Sequence, residues 1–508
     1  MRFSELIYGV EALDVSGDAD VTGVQYDSRK VRPGDCFVAM KGETTDGNAY
    51  MNLAVQSGAT AIVSDSQEQA RRSGVAWATV AHGRRALAAI SANFFGRPAE
   101  KLALTGVTGT NGKTTITFLL EAMLAAAGRR SAVIGTIEYR IAGKAIAAPH
   151  TTPESLELNQ FFSGAVSASA SEAVMEVSSH ALDQERVYGL HYDVAVFTNL
   201  TRDHLDYHLD MKRYFAAKQK LFSGMGAEPP RVAVINTDDE YGRVLAAISR
   251  SARLQVLTYG FEGADVVARK SEMGSEGTRF DLVTPFGEIA MFSPLVGRVN
   301  VYNVLGAAAA ALSRGCALQQ VHEAVLKLPQ VPGRFQRVNA GQPFSVVVDY
   351  AHTDDALRNL TSVAREFVQR NQGRVLTVFG CGGDRDRRKR PLMGEAVGKG
   401  SDFTVLTSDN PRSEDPLGII HDALIGLIRS GADYTVEPDR QRAINLAVRL
   451  ARPGDIVLIA GKGHEKVQIT AEGVFPFDDV DVARRALYRA GYTEDFAGTL
   501  PGVQGAGQ

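Results

Sequence analysis

The sequence predicts an α/β protein of three domains, with parallel sheets that are covered by helices on both faces. The chain has 508 residues, which corresponds to about three domains at roughly 150 residues each. Short apolar runs alternate with helix-like segments, and this alternation is typical of parallel sheets. Stretches containing Pro and Gly at residues 95–98 and 328–333 interrupt the pattern and divide the chain into 1–98, 99–331 and 332–508.

The expected strands are followed by polar residues. Residues 102–107 form the first apolar run of the middle domain, and residues 114–127 carry apolar side chains at helical spacing. Later runs lie at 132–134, 173–177, 194–197, 232–235, 346–348, 375–379, 404–406 and 456–459. Ligands bind beyond the carboxyl ends of parallel strands, so the polar residues after these runs are the candidate site residues.

Composition excludes several classes of protein. Apolar residues make up 44% and charged residues 22%, which excludes wholesale disorder. A net charge of −3 argues against a nucleic-acid partner, and the apolar run at 304–312 is too short to cross a membrane. Cys36, Cys316 and Cys381 are too far apart for a zinc knuckle or a disulfide framework. We expect a cytoplasmic monomer with small-molecule substrates, no nucleic acid and no membrane.

A glycine-rich loop at residues 108–115 lies between the first expected strand and helix of the middle domain. Its small residues let backbone N–H groups close around phosphate oxygens, and the helix N-terminus adds positive potential. Lys113 can reach the β- and γ-phosphates, and the Thr114 hydroxyl can ligate Mg²⁺. Val107 replaces the first glycine of the general pattern, so this is a variant phosphate loop. The loop predicts use of a nucleoside triphosphate but not the reaction.

Three further candidates lie downstream of the loop. Glu176 follows a strand and is suited to holding a magnesium ion. His204 and His208 are four residues apart, but without a third ligand a solvated helix start is a better interpretation than a zinc site. For Lys218, spacing alone favours an ordinary surface cation.

Seven motifs together resemble the Mur ligases, the ATP-dependent amide-forming enzymes of peptidoglycan synthesis. The resemblance extends from residues 27–29 to residues 461–465. The motifs, in chain order, are residues 108–115, 176–180, 202–204, the set Tyr214, Ala217 and Lys218, the pair Asn300 and Asn303, residues 333–334, and residues 349–352.

The resemblance implies a fold and a reaction. The fold would be a central phosphate-loop ATPase domain with a parallel sheet, flanked by an N-terminal α/β UDP-binding domain and a C-terminal Rossmann-like domain that binds an amino acid. The reaction would join an amino acid to the D-Glu carboxylate of UDP-N-acetylmuramoyl-L-Ala-D-Glu through an acyl phosphate. Residues 409–412 point to meso-2,6-diaminopimelate, because an arginine fork can hold its second carboxylate, which lysine lacks.

Residue roles follow from the same resemblance. The implied catalytic residues are Lys113, Glu176, His204 and Lys218. Mg²⁺ would be held by Thr114, Glu176, His204 and Lys218, with Lys218 carbamylated. ATP contacts would come from Gly109, Thr110, Asn111, Gly112, Lys113, Thr114, Thr115, Asn300, Asn303, Arg334 and Asp349, and the third domain would close on the nucleotide. The UDP-linked substrate would contact Ser28, Glu43, Thr44, Thr45, Thr151, Thr152, Ser178, Gln184 and Arg186. Diaminopimelate would contact Arg385, Asp409, Asn410, Pro411, Arg412, Gly461 and Glu465.

Other functions remain open at this point. A lysine-adding ligase has no use for Arg412. A ligase like folylpolyglutamate synthetase should lack the sequence motifs found here at residues 27–29 and 409–412. A regulator that binds ATP without catalysis would not need Lys113, Glu176, His204 and Lys218 together. The run at 380–383 lacks the third glycine of a dinucleotide-binding fingerprint, which disfavours an oxidoreductase.

Overall fold

Three sheets flanked by helices make up most of the molecule. The structure is a computed structural model that describes residues 1–42, 45–66, 74–274, 276–369 and 372–493. The predicted α/β class is confirmed, since most neighbouring strands are parallel and helices cover the sheets. Among the described helices, none combines the length and apolar character that a membrane crossing requires.

The first sheet has five strands in the order β1-β5-β4-β3-β2, and only β1 is antiparallel to its neighbour. Its strands are β1 (Ala12–Ser16), β2 (Gly23–Gln25), β3 (Asp35–Ala39), β4 (Ala61–Ser64) and β5 (Ala76–Val80). Its helices are α1 (Phe3–Leu6), α2 (Met51–Gln56) and α3 (Gly83–Phe94), with 3₁₀ turns at Ser28–Lys30, Gly47–Tyr50 and Pro98–Lys101.

The central sheet has eleven strands in the order β16-β15-β14-β13-β12-β11-β6-β10-β7-β8-β9. They are β6 (Ala103–Thr108), β7 (Ser131–Ile134), β8 (Glu138–Ile141), β9 (Lys144–Ala147), β10 (Glu172–Glu176), β11 (Val194–Phe197), β12 (Val232–Asn236), β13 (Gln255–Gly260), β14 (Val266–Met273), β15 (Thr278–Thr284) and β16 (Gly287–Ser293). The middle of the sheet is parallel, whereas both edges end in antiparallel strands.

Helices pack on both faces of the central sheet because its inner strands are apolar on both sides. The helices are α4 (Lys113–Ala126), α5 (Ser155–Ser167), α6 (Ser179–Asp183), α7 (Leu205–His208), α8 (Met211–Ser223), α9 (Glu240–Ser251), α10 (Arg298–Ser313) and α11 (Leu318–Leu326). One apolar core joins the sheet to α4, α10 and α11, and a second joins it to α5, α8 and α9. The alanines at 307–311 are fully buried, so α10 approaches the sheet closely.

The third sheet has six strands in the order β17-β18-β22-β19-β20-β21, parallel except for β17. Its strands are β17 (Gln336–Arg337), β18 (Ser345–Asp349), β19 (Val375–Phe379), β20 (Phe403–Leu406), β21 (Tyr434–Val436) and β22 (Ile456–Ala460), with a separate hairpin of β23 (Val467–Thr470) and β24 (Gly473–Pro476). Its helices are α12 (Asp354–Gln369), α13 (Lys389–Gly400), α14 (Pro416–Ser430), α15 (Arg440–Leu450) and α16 (Asp479–Arg489). The C-terminal tail expected at 500–508 lies outside the described residues.

Polar contacts join the third sheet to the central one. Arg334 donates to the Thr114 hydroxyl over 3.0 Å, and the Asn111 amide donates to Asp355 of α12 over 3.1 Å. Lys389 of α13 lies 3.9 Å from a carboxylate oxygen of Asp203. The third sheet therefore contacts the phosphate loop directly.

A fully buried ion pair supports the third sheet. Arg440 at the start of α15 pairs with Asp479 at the start of α16 over 2.7 Å, and its guanidinium also donates to the carbonyl oxygen of Ala460. Neither side chain has any exposed surface.

We predict that Asp479→Ala destabilises the third sheet by about 3–5 kcal/mol, because it leaves the Arg440 charge buried without its counterion. Hydrogen exchange of the β22 amides measures this free energy of opening. Arg484→Ala, which removes an exposed ion pair on α16, is the control and should change it by less than about 0.5 kcal/mol. Equal effects of the two substitutions would contradict the prediction.

Candidate active site

A cleft of about 820 Å³ lies between the central and third sheets. The adjacent parallel strands β11, β6 and β10 all end at it, so the residues that follow them converge there. Its walls contain Lys113, Glu176 and His204 from the central sheet, and Arg334 from the segment leading into the third sheet. Three of the four expected catalytic residues thus line one cleft.

The phosphate loop connects β6 to α4, as the sequence predicts. Gly112 precedes the helix in the left-handed region at φ +92°, and a Cβ there would lie 2.4 Å from the Asn303 amide oxygen. Gly109 has φ +141°, and a Cβ there would overlap the Thr198 hydroxyl. Glycine is therefore required at both positions. The Lys113 amine donates to the carbonyl oxygens of Gly109 and Thr110 over 3.0 and 2.9 Å.

Glu176 ends β10 as a completely buried carboxylate that lines the cleft. The Thr136 backbone N–H and hydroxyl each donate to it over 2.9 Å, one to each carboxylate oxygen. This pair of hydrogen bonds fixes the plane of the carboxylate. Sequence reasoning missed Thr136, because nothing in the primary structure links residue 136 to residue 176.

Lys218 lies inside the protein, not on its surface. Its side chain is 1% exposed on α8, where the amine donates to the Gly109 carbonyl over 2.8 Å and lies 4.6 Å from the centre of the Tyr214 ring. Burial, followed by the neighbouring Lys113 charge, lowers the pKa of the Lys218 amine well below its usual value. The prediction from spacing alone, that Lys218 is an ordinary surface cation, is therefore wrong.

His204 lies beside this group with its backbone in the left-handed region at φ +54°. Its ring packs edge-on against His180, with 4.8 Å between centroids. The side chain is 43% exposed and lines the cleft, and desolvation holds the pKa of His204 below its usual value despite the opposing charge of Asp203. His208 is buried and its Nε2 lies 2.9 Å from the Ser179 hydroxyl, so the expected solvated helix start is also wrong here.

Asp203 also lines the cleft; the sequence analysis placed it in the motif at 202–204 but assigned it no role. Burial opposes its ionisation, but His204 and Lys389 outweigh burial and keep the pKa of Asp203 below its usual value. Its position directly before His204 was the available signal. Asp203 thus adds a buried negative charge that faces both Lys113 and α13.

The other expected nucleotide contacts lie around the same cleft. Asn303 donates to Asn300 over 3.0 Å, and both line it. Arg334 stacks over Tyr350, with its guanidinium carbon 4.6 Å from the ring centre. Asp349 accepts backbone N–H groups of Phe335 and Ala351. Seven residues of the phosphate loop are expected to contact ATP, and all of them except Gly109 line the cleft: Thr110, Asn111, Gly112, Lys113, Thr114 and Thr115.

The residues expected to bind the UDP-linked substrate are divided between two places. Those in the central domain line the cleft together: Thr151, Thr152, Ser178, Gln184 and Arg186. Arg186 donates to Gln184 over 2.9 Å and to the Thr152 carbonyl over 3.0 Å. Ser28 is buried at the start of a 3₁₀ turn and Thr45 is exposed, and neither lines the cleft. Glu43 and Thr44 lie outside the described residues.

The expected diaminopimelate residues form a group beyond the carboxyl ends of the neighbouring strands β22, β19 and β20. Arg385 and Arg412 both approach Gly382, and the Arg412 guanidinium donates to the Gly383 carbonyl over 2.6 Å. Asn410 donates to Glu465 over 2.7 Å. Pro411 is buried beside Gly383, and a Cβ at Gly461 would lie 2.4 Å from Asp409. Only Arg385 of this group lines the central cleft.

The atoms at the cleft that are suited to binding Mg²⁺ are oxygen atoms. In the described residues, no set of three or more His, Cys, Asp and Glu side chains is arranged to hold a metal ion. The Glu176 carboxylate and Thr114 hydroxyl both line the cleft, and Mg²⁺ is commonly held by one or two protein oxygens together with substrate phosphates. These two residues therefore fit Mg²⁺ bound with a nucleotide.

The fold and the cleft define a phosphate-loop α/β enzyme with a second, Rossmann-like sheet facing its loop. Comparison of the chain with protein families agrees with this class. The Mur ligase family catalytic domain matches residues 20–95, the Mur ligase middle domain residues 107–311, and the Mur ligase glutamate ligase domain residues 333–463. The chain belongs to the Mur ligase family, so it is a ligase.

Full-length relatives share one name, UDP-N-acetylmuramoyl-L-alanyl-D-glutamate–2,6-diaminopimelate ligase. The protein of that name from Solibacter usitatus is 54% identical over 93% of this chain and 94% of its own length. The one from Geobacter sulfurreducens is 44% identical over 96% and 99%. A solved structure of a ligase with that name superimposes with a TM-score of 0.66 at 35% identity, covering 93% of this chain and 96% of that chain.

We predict that His208 makes stability fall with acidification. Burial, reinforced by His180, lowers its pKa to about 4 in the folded protein, against about 6.5 when unfolded. The unfolded state therefore binds more protons between these values, and the contribution of His208 to the free energy of unfolding decreases by about 1.4 kcal/mol per pH unit below pH 6.5.

His208→Gln should flatten the decline in melting temperature between pH 7 and 4.5, whereas substitution of the exposed His191 by Gln should leave it unchanged. NMR titration of the histidine rings provides the direct measurement. A His208 ring that titrates near pH 6.5 in the folded protein would refute this prediction.

Proposed function

We propose that this ligase joins meso-2,6-diaminopimelate to the D-Glu carboxylate of UDP-N-acetylmuramoyl-L-Ala-D-Glu at the cost of ATP. The observation that carries the proposal is the convergence of Lys113, Glu176 and His204 on one cleft. Lys218 is buried behind the phosphate loop, where its amine contacts the Gly109 carbonyl, and the Arg385–Arg412 group lies beyond the cleft. The shared name of relatives that are 54% and 44% identical supports the same reaction. The setting would be the cytoplasm, and the acting unit a monomer.

ATP is needed because a carboxylate is a poor electrophile at neutral pH. The γ-phosphoryl group of ATP would transfer to the D-Glu carboxylate, which yields an acyl phosphate and ADP. The unprotonated amine of diaminopimelate would attack the acyl carbon, and the tetrahedral intermediate would expel phosphate to form the amide. The protein contributes mainly positioning and charge neutralisation, since negative groups must approach one another.

The chain offers suitable positive charge and metal ligands for this task. Lys113 lies in the loop that would hold the phosphates, and Arg334 contacts Thr114 beside it. Thr114 and Glu176 would hold one Mg²⁺, and His204 with carbamylated Lys218 would serve a second. Bound Mg²⁺ supplies charge neutralisation for the phosphate groups. Mg²⁺ prefers oxygen ligands to the ring nitrogen that His204 offers. Binding of the second Mg²⁺ would therefore depend mainly on the carbamate oxygens of Lys218.

Each sheet would take one part of the reaction. Residues 1–98 would bind the UDP end of the substrate, residues 99–331 would bind ATP, and residues 332–508 would bind the amino acid. Asn300, Asn303, Arg334 and Asp349 would complete the nucleotide site between the second and third domains. The direct contact between the third sheet and the phosphate loop supports closure of this domain over ATP.

The alternatives are less well supported by particular residues. Arg412 has no purpose in a lysine-adding ligase, and here its guanidinium lies beside Arg385 at a strand end. A folylpolyglutamate synthetase is not expected to contain the sequence motif found here at residues 409–412. A regulator without catalysis does not require a buried Lys218 next to the phosphate loop.

The decisive measurement is phosphate release with ATP and UDP-N-acetylmuramoyl-L-Ala-D-Glu, comparing meso-diaminopimelate with lysine. We predict at least a 100-fold preference in kcat/KM for diaminopimelate, because lysine would leave the arginine pair without a carboxylate. Arg412→Lys should lower kcat/KM for diaminopimelate by about 10-fold or more, with little change for lysine. Arg442→Lys, an exposed position, is the control. Equal rates for the two amino acids would refute the proposed specificity.

We predict that Lys218 carries a carbamate. Its lowered pKa favours the unprotonated amine, which is the form that adds CO₂. A ¹³C NMR carbamate signal should appear in the protein equilibrated with ¹³C-bicarbonate, should vanish in Lys218→Arg and should persist in Lys220→Arg, which alters a neighbouring lysine bound to Asp183. A signal that survives Lys218→Arg would place the modification elsewhere.

A further inference from the structure

A second buried lysine, Lys462, lies behind the proposed amino-acid pocket. It follows β22, and its side chain has no exposed surface. The ammonium donates to the Asn410 amide oxygen over 2.9 Å and to the Glu465 carboxylate over 3.1 Å. Both acceptors belong to the group assigned to diaminopimelate, and neither belongs to the core. A buried ammonium therefore acts directly on two pocket residues.

These hydrogen bonds fix the orientation of the Asn410 amide. Its oxygen accepts from Lys462 and from the Ile469 backbone N–H over 3.0 Å. Because two donors converge on the oxygen, the NH₂ group must point the other way, where it donates to Glu465 over 2.7 Å. The Asn410 amide thus links Lys462 to Glu465 through hydrogen bonds at its two ends.

Both donors to Glu465 approach the same oxygen. The Lys462 ammonium and the Asn410 NH₂ group both contact Oε2. Within the described part of the chain, Oε1 receives no such donor, and the Glu465 side chain is 28% exposed. One oxygen is anchored, and the other remains able to accept a hydrogen bond from a ligand ammonium.

Another buried cation nearby has a different purpose. Arg440 donates to the backbone carbonyl oxygens of Ser408 and Ala460 and pairs with Asp479, so it supports the strand ends themselves. Within the described residues, the Lys462 ammonium donates to two pocket side chains, Asn410 and Glu465. Burying an ammonium is costly, and an apolar residue of the same length would fill the space. The contacts of Lys462 point to recognition.

We propose that Lys462 is a positioning residue that makes the pocket selective for an amino acid with an ammonium at its far end. It anchors Oε2 of Glu465, so that Oε1 is held in position as an acceptor for that ammonium. Without Lys462, Glu465 loses its buried counterion and one of its two anchoring hydrogen bonds. This inference rests on the proposed use of diaminopimelate.

The experiment compares meso-diaminopimelate with 2-aminopimelate, which has the same distal carboxylate but no distal amine. Wild-type protein should prefer diaminopimelate by about 100-fold in kcat/KM, because the unpaired Glu465 rejects the analogue. Lys462→Met should reduce this ratio by about tenfold while leaving KM for ATP unchanged. In a Glu465→Gln background, Lys462→Met should no longer change the ratio, since the lysine acts through Glu465.

Controls separate this effect from damage to the fold and from failure of the proposed function. Lys466→Met removes an exposed ammonium that pairs with Asp478 in the same segment, and should leave the ratio at its wild-type value. If wild-type protein does not use diaminopimelate, the proposed function itself fails. If it does, a ratio that stays constant or rises in Lys462→Met overturns the role of Lys462.

Lys462→Gln is the second variant should Lys462→Met not fold, because glutamine is shorter but retains a donor. It should show the same loss of selectivity. If neither variant yields protein that binds ATP, Lys462 is required for the fold, and the role in selectivity is overturned.

Discussion

A half-buried amine and a fully enclosed one share a single carbonyl oxygen in the phosphate loop. Lys113 and Lys218 both donate to Gly109, over 3.0 and 2.8 Å. Two ammonium charges this close repel strongly in a desolvated site, so burial and the other charge both lower the pKa of Lys218. The Lys113 amine lies in the phosphate loop, and the lowered pKa of Lys218 favours its neutral form, which is the form that can add CO₂. Converting Lys218 to a carbamate would turn this repulsion into an attraction.

The shape of the loop makes this arrangement possible. Gly109 and Gly112 occupy backbone conformations where side chains would strike Thr198 and Asn303, so the loop lies flat against β11 and α10. The Gly109 carbonyl oxygen then faces Lys218 of α8, and the backbone N–H groups of Thr110 and Asn111 donate to Asn199 after β11. The third sheet contacts the same loop through Arg334 and Asp355. Movement of that sheet would therefore be transmitted to the phosphate site through two hydrogen bonds.

Much of the fold could be predicted from the sequence because the inner strands are enclosed on both sides. The strands at 194–197 and 375–379 match Val194–Phe197 and Val375–Phe379, and the helix at 114–127 lies one residue from Lys113–Ala126. The antiparallel edges were not predicted, since β14 is exposed along half of its length and lacks a continuous apolar run. The spacing of residues could not predict the burial of Lys218, because a helical pattern does not show which other part of the protein covers a polar side chain. Family motifs identified the strand-end residues, whereas the contacts of Thr136 with Glu176 and of Lys462 with Asn410 join residues far apart in sequence, which no local pattern specifies.

The proposed amino-acid pocket, like the phosphate loop, depends on charges held close together inside the protein. Arg385 and Arg412 gather positive charge near Gly382, and Asp409 and Glu465 supply negative charge across the strand ends. Diaminopimelate is zwitterionic at both ends, so recognition of its far end requires separate positive and negative positions. If Glu465 were free to turn toward Arg412, the two would neutralise each other and the pocket would lose both. Lys462 and Asn410 hold Glu465 by one oxygen. That restraint keeps opposite charges apart, and a pocket for a zwitterion needs such a separation built into the protein before the ligand arrives.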